Sequence, residues 1–424
     1  MDTPTEGRRG PLTLWFATAL WKRILLAVLL GALVGYFWGE GAASIQWIGA
    51  LFVRMIRMIV VPLVFVTLAG GVAAMGDIRR LGGIGLKALA LYMLTSVIAV
   101  AIGLGFAIIL QPGAGVSLGD ATPRELGQPP SIGDMLMNIV PINPVAALAN
   151  GDMLAIIFFA LIFGAGILVQ GETARPMASI LDQASAALLG ATRIVMEVAP
   201  FGVFALIAGV MGTTGPSAFT SIFKLAIAVY GGCLLHMAIT QGGLVRLFAN
   251  LRAVRFFRDI TEAQLLAYST SSSAATLPVS MRVAEKNLGL KPPVFSSVLP
   301  LGATINMDGT ALYVGLVAVF AAQAFGVPLG LGDYLVIMLT TVLVSIGTAS
   351  VPSASLFLLA AVLTAIGITA EQTALVVGFI LPFDRILDMM RTATNVTGDL
   401  AVATTVGKWE GEIDLETYDA HAAP

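Results

Sequence analysis

The sequence predicts an all-α polytopic membrane protein with eight transmembrane helices and two re-entrant helical hairpins. Three observations carry that expectation. First, 57% of the 424 residues are hydrophobic and only 11% are charged, with a mean hydropathy of +0.91; soluble domains carry about 25% charged residues. Second, apolar runs of membrane-spanning length recur along the whole chain. Third, the basic residues between those runs fall on one face only if two of the runs return to the side from which they start.

The runs cover 19–38, 45–73, 84–111, 136–169, 176–212, 217–247, 256–290, 293–323, 330–367 and 370–407. Several exceed the roughly 20 residues needed to cross, so tilt is expected. The stretch 112–135, rich in Pro, Gly and charge, is the longest expected loop, on the extracellular side. Arg8, Arg9, Lys22 and Arg23 precede the first span, Arg79, Arg80 and Lys87 follow the second, and Arg246, Arg252, Arg255 and Arg258 follow the sixth run. Both termini are therefore expected in the cytoplasm, the localisation being an inner membrane crossed many times. No cleavable signal peptide is expected.

This bookkeeping closes only if 256–290 and 330–367 are hairpins, one opening from each face. Their centres agree. The first reads YSTSSSAATLP from Tyr268 to Pro278, and the second SIGTASVPSAS from Ser345 to Ser355. Both place small, hydroxyl-bearing residues and a proline at the middle of an apolar run. Non-helical backbone at membrane depth must line protein or a wet cavity, and paired interrupted segments point to a binding site. The competing reading is a pair of kinked spanning helices with small residues for close packing.

The densest polar feature lies in the last run, FDRILDMMRTATNVTGD. Asp384, Asp388, Arg391, Asn395 and Asp399 follow steps of 4, 3, 4 and 4 and fall within about 80° on one helix face. A charge at bilayer depth costs at least about 2.5 kcal/mol, so the stripe needs a polar ligand, bound cations or internal pairing. A purely structural ion-pair stripe is the plain alternative. Between the hairpins, GATINMDGTALY puts Asn306, Asp308 and Gly309 inside another apolar run. An unwound turn there would aim carbonyls and a carboxylate into a cavity, which is hard-cation chemistry. The serine tip offers backbone N–H groups to one carboxylate, Arg391 suits a second, and Asp388 suits an ammonium. Together these describe an acidic amino acid. A neutral amino acid would leave Arg391 unpaired, and a plain dicarboxylate would leave Asp388 without an amine.

Net charge is −2 and no basic surface calls for nucleic acid. The single Cys233 excludes an intrachain disulfide and a paired-cysteine metal site. His236 lies in an apolar stretch and reads as a packed helix residue; His421 sits in a polar tail. A membrane-embedded hydrolase would need a general base near the serine tip, and none is marked; a simple pore does not call for a buried Arg–Asp pair.

The serine-rich TSSSAATLP, NMDGT at 306–310, GTASVPSAS and DMMRTATNVTGD at 388–399, in this order and spacing, resemble the dicarboxylate/amino acid:cation symporters, the glutamate transporter homologues, over nearly the whole chain. The resemblance implies the glutamate-transporter-homologue fold as a homotrimer in a lipid bilayer. Scaffold segments would be 1–83 and 112–213, transport segments 84–111 and 214–408, with 409–424 a cytoplasmic tail. It implies no catalytic residue and no cofactor, with Na+ as coupling ion and H+ as the alternative. Substrate would meet Ser272, Ser273, Thr310, Asp388, Arg391, Thr392 and Asn395, with Val351 closing over it. One cation site would use Gly302, Asn306, Asn395 and Asp399; a second Thr304, Met307, Ser345, Ile346 and Thr348; a third Tyr92, Thr95, Ser96, Asn306 and Asp308. The implied activity is cation-coupled uptake of L-aspartate or L-glutamate by an elevator movement. Proton-coupled uptake of a C4-dicarboxylate, or uptake of a neutral amino acid, is the alternative. The sequence departs from acidic-amino-acid members at Ser271 and Met389, where one of the two is often arginine, and at Ser350, Ser353 and Ser355, where several have glycine. Arg385 lies one helical turn before Met389, within reach of the same space.

Overall fold

In the computed structural model, residues 20–73, 78–116, 140–215, 217–346 and 355–420 are described, with Trp15, Thr18 and Met137. Helices dominate, and among the described residues the β-pairing is an isolated antiparallel bridge between Leu290 and Ile413. The first helices are α1 (Leu20–Trp38), α2 (Gln46–Ala73) and α3 (Ile78–Leu110). A short α4 (Pro144–Asn150) starts on Asn143, whose side-chain oxygen accepts from Val145 N at 3.0 Å and Ala146 N at 3.3 Å. Then come α5 (Met153–Gln170), α6 (Arg175–Met196) and α7 (Ala199–Thr214). The axis bends by 53° between α6 and α7, where Pro200 sits in the first turn of α7 and lacks the N–H that would continue the helix. α8 (Ser217–Leu235) runs on into π-helical turns at His236–Gln241 and Leu244–Phe248.

The first interrupted segment divides at its serine tip. α9 (Ala253–Asp259) leads to α10 (Thr261–Thr270) and α11 (Ser273–Lys286), which meet at Ser271 and Ser272. Ser271 has φ +52°, a left-handed conformation unusual for serine, and the Ser272 side chain caps α11 by accepting from Ala275 N at 3.2 Å. α12 (Pro292–Ile305) and α13 (Asp308–Ala324) are separated by an extended Asn306 (φ −87°, ψ 92°) and Met307, so the expected unwound turn is present. α14 (Leu331–Ile346) and α15 (Ser355–Ala365) pack on each other. Their tip, with Thr348 and Val351, lies outside the described residues, as do the side chain of Ile346 and the loop 117–135. α16 (Ala370–Glu410) is one helix of 41 residues, begun by a Thr369/Gln372 capping box and ended at Gly411, φ +70°.

Among the described residues, four helical stretches are long and apolar enough to cross a bilayer: Lys22–Phe52, Gly83–Leu110, Thr220–Phe248 and Pro292–Ala324. The bent pair Phe158–Met196 and Ala199–Gly212 makes a fifth. α16 falls short of that description because it carries the charged stripe. α1 packs on α7, and α2 on α5, α6 and α7. α13 and α16 are the buried centre of a second grouping with α3, α8, α10, α12 and α14. α3 and α13 touch backbone to backbone at Gly103, where a Cβ would collide with the Leu312 carbonyl.

Residues 409–420, expected as a tail, are folded back. Trp409 Nε1 donates to Phe248 O at 2.9 Å, and Asp414 N to Gly289 O at 2.7 Å. In α17 (Leu415–Ala420) the Tyr418 ring lies under the Arg255 guanidinium at 5.1 Å, and its hydroxyl donates to Arg252 O at 3.2 Å. Aromatic and basic partners spaced far apart in sequence make this closure; the tail's own composition is polar and gave no sign of it.

Candidate functional site

α16 presents its stripe as a closed ionic group. Arg391 is fully buried; its Nη2 donates to Asp388 Oδ1 at 2.7 Å and its Nη1 lies 3.0 Å from Asp384 Oδ1. The guanidinium sits 3.9 Å from the centroid of the Tyr313 ring, and the Tyr313 hydroxyl donates to Asp384 Oδ1 at 3.1 Å. The premise that a neutral ligand would leave Arg391 unpaired therefore does not hold: two carboxylates and an aromatic face already balance it. Arg391 Nε is buried without a hydrogen-bond partner among the described residues, so the fork retains a donor for an incoming carboxylate.

The two aspartates differ in setting. Asp384 is completely buried and bound by Tyr313, whereas Asp388 lies at the edge with 7% exposure. We expect Asp388→Asn to weaken ligand binding by tenfold or more with little change in melting temperature. Asp384→Asn should instead lower thermal stability by about 1–3 kcal/mol while retaining ligand affinity in the protein that stays folded. Binding isotherms and thermal melts on both variants decide this, and the reverse ranking removes the roles given to them.

The hydroxyl-rich tip stands beside this group. Arg385 Nη2 donates to the carbonyls of Thr270 at 3.3 Å and Ser269 at 3.5 Å. It thus holds the carbonyl end of α10, a favourable place for a cation. Tyr230 ties the same seam, its hydroxyl 3.1 Å from that of Tyr268 and donating to Ile386 O at 2.9 Å. Ser273 is buried, and the hydrogen bonds of Ser272 described above serve the α11 cap.

One turn below Arg391, Asn395 joins the stripe to the unwound turn. Its Oδ1 accepts from Gly309 N at 2.7 Å, and its Nδ2 faces Met307 Sδ at 3.3 Å and Thr310 Oγ1 at 3.5 Å. Thr392 is buried alongside. Asn306 Nδ2 donates to Asp399 Oδ1 at 2.9 Å and to Asn395 O at 3.3 Å, while Asn306 Oδ1 is buried with no hydrogen-bond partner. A lone amide oxygen beside a buried carboxylate suits a hard cation. Among the described residues no three His, Cys, Asp or Glu side chains group as a metal site, and the donors here are hydroxyls, amides and single carboxylates.

Asp308 is the second carboxylate. Ser96 Oγ and Thr95 Oγ1 lie 2.9 and 3.2 Å from its Oδ1. The Tyr92 hydroxyl donates to Val298 O at 3.0 Å and is buried nearby. Thr304 and Ser345 turn their hydroxyls to carbonyls of their own helices, Pro300 O at 3.2 Å and Val342 O at 2.8 Å. Gly302 packs closely against Asp399: a Cβ there would sit 2.5 Å from both Asp399 Oδ1 and the Tyr92 hydroxyl, so one of them would have to shift. Gly302→Ala should therefore displace the Asp399 carboxylate or the Tyr92 hydroxyl from the space proposed for a cation and raise the half-saturating sodium concentration at least about tenfold. A sodium titration of ligand binding that overlays the wild-type curve would show that this space is not used.

Two residues were missed. His236, read above as a packed helix residue, is fully buried with Nε2 3.0 Å from Asp308 Oδ2, and Gln241 Nε2 lies 3.4 Å from the same oxygen. Their spacing of five fits no α-helical face, so periodicity hid them.

The family model of the sodium:dicarboxylate symporter family matches residues 20–409. Similar proteins include a "Proton/sodium-glutamate symport protein" of Bacillus caldotenax, 36% identical over 406 residues, which are 93% of this chain and 95% of the relative. A "C4-dicarboxylate transport protein" of Anaeromyxobacter sp. (strain K) is 35% identical over 94% of this chain and 91% of its own. A "Proton/glutamate-aspartate symporter" of Escherichia coli (strain K12) is 35% identical over 92% and 93%.

Proposed function

Because the chain belongs to the sodium:dicarboxylate symporter family, we propose that it takes up an acidic amino acid, L-aspartate or L-glutamate, together with Na+. It is an integral membrane transporter of a small molecule, not an enzyme. The observation that carries the reading is the position of Asn395. Through Gly309, Thr310 and Asn306 it links the ligand-type pair Asp388/Arg391 to the cation-type carboxylates Asp308 and Asp399. Filling one half changes the hydrogen bonds available to the other, and this is what coupled binding requires.

The transport cycle in this reading is an elevator movement. The mobile unit is 84–111 with 214–408, and the scaffold is 1–83 with 112–213. Eight spans and two re-entrant hairpins make up each protomer of a homotrimer in the inner membrane, both termini being cytoplasmic. The packing of α3 and α8 onto α13 and α16, apart from the grouping of α1, α2, α5, α6 and α7, supports that division.

A second reading is uptake of a C4-dicarboxylate or a neutral amino acid driven by protons. It is favoured by the Arg391–Asp388 pair at 2.7 Å, which neutralises Asp388 without a ligand amine. Proteoliposomes loaded against separate sodium and proton gradients, with labelled aspartate, glutamate and succinate, distinguish the readings. Aspartate or glutamate accumulation driven by inward sodium is expected. Accumulation that is unchanged when choline replaces sodium under a proton gradient would sink the sodium assignment.

A further inference from the structure

We propose that the π-helical turn His236–Gln241 is part of the cation machinery: it brings His236 and Gln241 together onto Oδ2 of Asp308 and thereby sets the affinity of the Asp308 site for sodium. The inference rests on the cation-coupling reading above and adds two positioning residues to it.

The geometry is specific to the π turn. In an α-helix five residues rotate by about 500°, which leaves side chains at i and i+5 about 140° apart. In a π turn, whose N–H groups pair five residues back, five residues complete about one revolution and stack. The continuation of α8 adopts that winding between His236 and Gln241, and both side chains reach the same oxygen of Asp308, at 3.0 and 3.4 Å. Gln241 Nε2 also donates to Thr394 O at 3.0 Å, which fixes the amide between α13 and α16.

Both residues are fully buried, and each keeps an acceptor without a hydrogen-bond partner, His236 Nδ1 and Gln241 Oε1. Apolar side chains would avoid that penalty. What they cannot supply is the pair of N–H donors on Asp308. With Nε2 as the donor, His236 is the tautomer that Asp308 selects.

The two oxygens of Asp308 then have different duties. Oδ1 faces the Ser96 and Thr95 hydroxyls at 2.9 and 3.2 Å. These rotate about one bond and can turn their lone pairs toward a cation. Oδ2 faces an imidazole and an amide whose N–H bonds do not rotate away. The carboxylate is thus held in one orientation, with Oδ1 as the exchangeable side. Loss of a donor on Oδ2 lets the carboxylate turn and disperses the site.

The test is aspartate binding by calorimetry on the full-length protein, at sodium concentrations balanced with choline. His236→Phe keeps volume and removes the donor; the half-saturating sodium concentration should rise about tenfold, while aspartate affinity at saturating sodium stays within about twofold. His236→Gln restores an N–H and should return the sodium curve to within about threefold of wild type. Gln241→Met carries the same expectation as His236→Phe and stands in if that variant does not fold. Sodium curves that superimpose on wild type, or a loss of aspartate affinity that saturating sodium does not recover, overturn the inference. Wild-type binding that ignores sodium overturns the coupling reading itself.

Discussion

Replacement of Arg391 by cysteine is expected to weaken aspartate binding at least about a hundredfold and to destabilise the protein. The guanidinium is fully buried between Asp384 and Asp388 and lies on the Tyr313 ring. Removing it strands two carboxylates in a buried site, a change of about 3–5 kcal/mol, and also removes the donor set that would receive a ligand carboxylate. The two consequences separate in the double variant. Adding Asp384→Asn to Arg391→Cys removes one stranded charge, so melting temperature should recover in part while aspartate binding stays lost. The residual ligand preference should move toward neutral amino acids. Calorimetry with aspartate and serine, beside thermal melts, reads all three effects; aspartate affinity equal to wild type in the single variant contradicts the role given to Arg391.

Asp399→Asn should change coupling rather than ligand recognition. Asp399 lies two helical turns past Arg391 and shares Asn306 with the unwound turn. The amide keeps the shape and can still pair with Asn306, but it removes the charge that, in the proposed reading, a bound cation balances. The dependence of aspartate affinity on sodium, plotted as logarithms, should lose about one unit of slope, as expected when one coupled ion no longer binds. At very high sodium the variant should remain weaker than wild type, because one favourable coupling is absent. Equal slopes in the two proteins would remove Asp399 from the cation site.

Much of this arrangement was legible in the sequence because it is local. The 4-3-4-4 spacing on α16 is a helical period, and Arg391 does meet Asp384 and Asp388 on that face. Asn306 and Met307 interrupt the helix where a glycine follows two residues that compete with the backbone for hydrogen bonds. Ser271 and Ser272 break the first interrupted segment where the hydroxyl cluster lies. Thr95 and Ser96 reached Asp308 only through the resemblance, since a threonine and a serine on an apolar helix carry no signal of their own.

What stayed hidden depends on winding and on distant contacts. His236 and Gln241 are five apart, and no α-helical pattern places them together. Arg385 lies a helical turn from Met389, and the carbonyl end of α10 that it meets is an acceptor that side-chain spacing does not reveal. The balance of Arg391 by two neighbours is readable as spacing, but the Nε left over beside that pairing is not. The closing of residues 409–420 onto Arg252, Arg255 and Gly289 joins segments more than a hundred positions apart.

In the proposed reading, ligand and cation halves are coupled through one connected polar cluster. The most direct measurement is aspartate affinity of the wild-type protein as a function of sodium, paired with sodium affinity as a function of aspartate. Linkage requires each ligand to raise the affinity for the other by the same factor. Aspartate affinity is expected to rise steeply with sodium, with a matching factor in the reciprocal experiment. Aspartate affinity that is the same in sodium and in choline would contradict it.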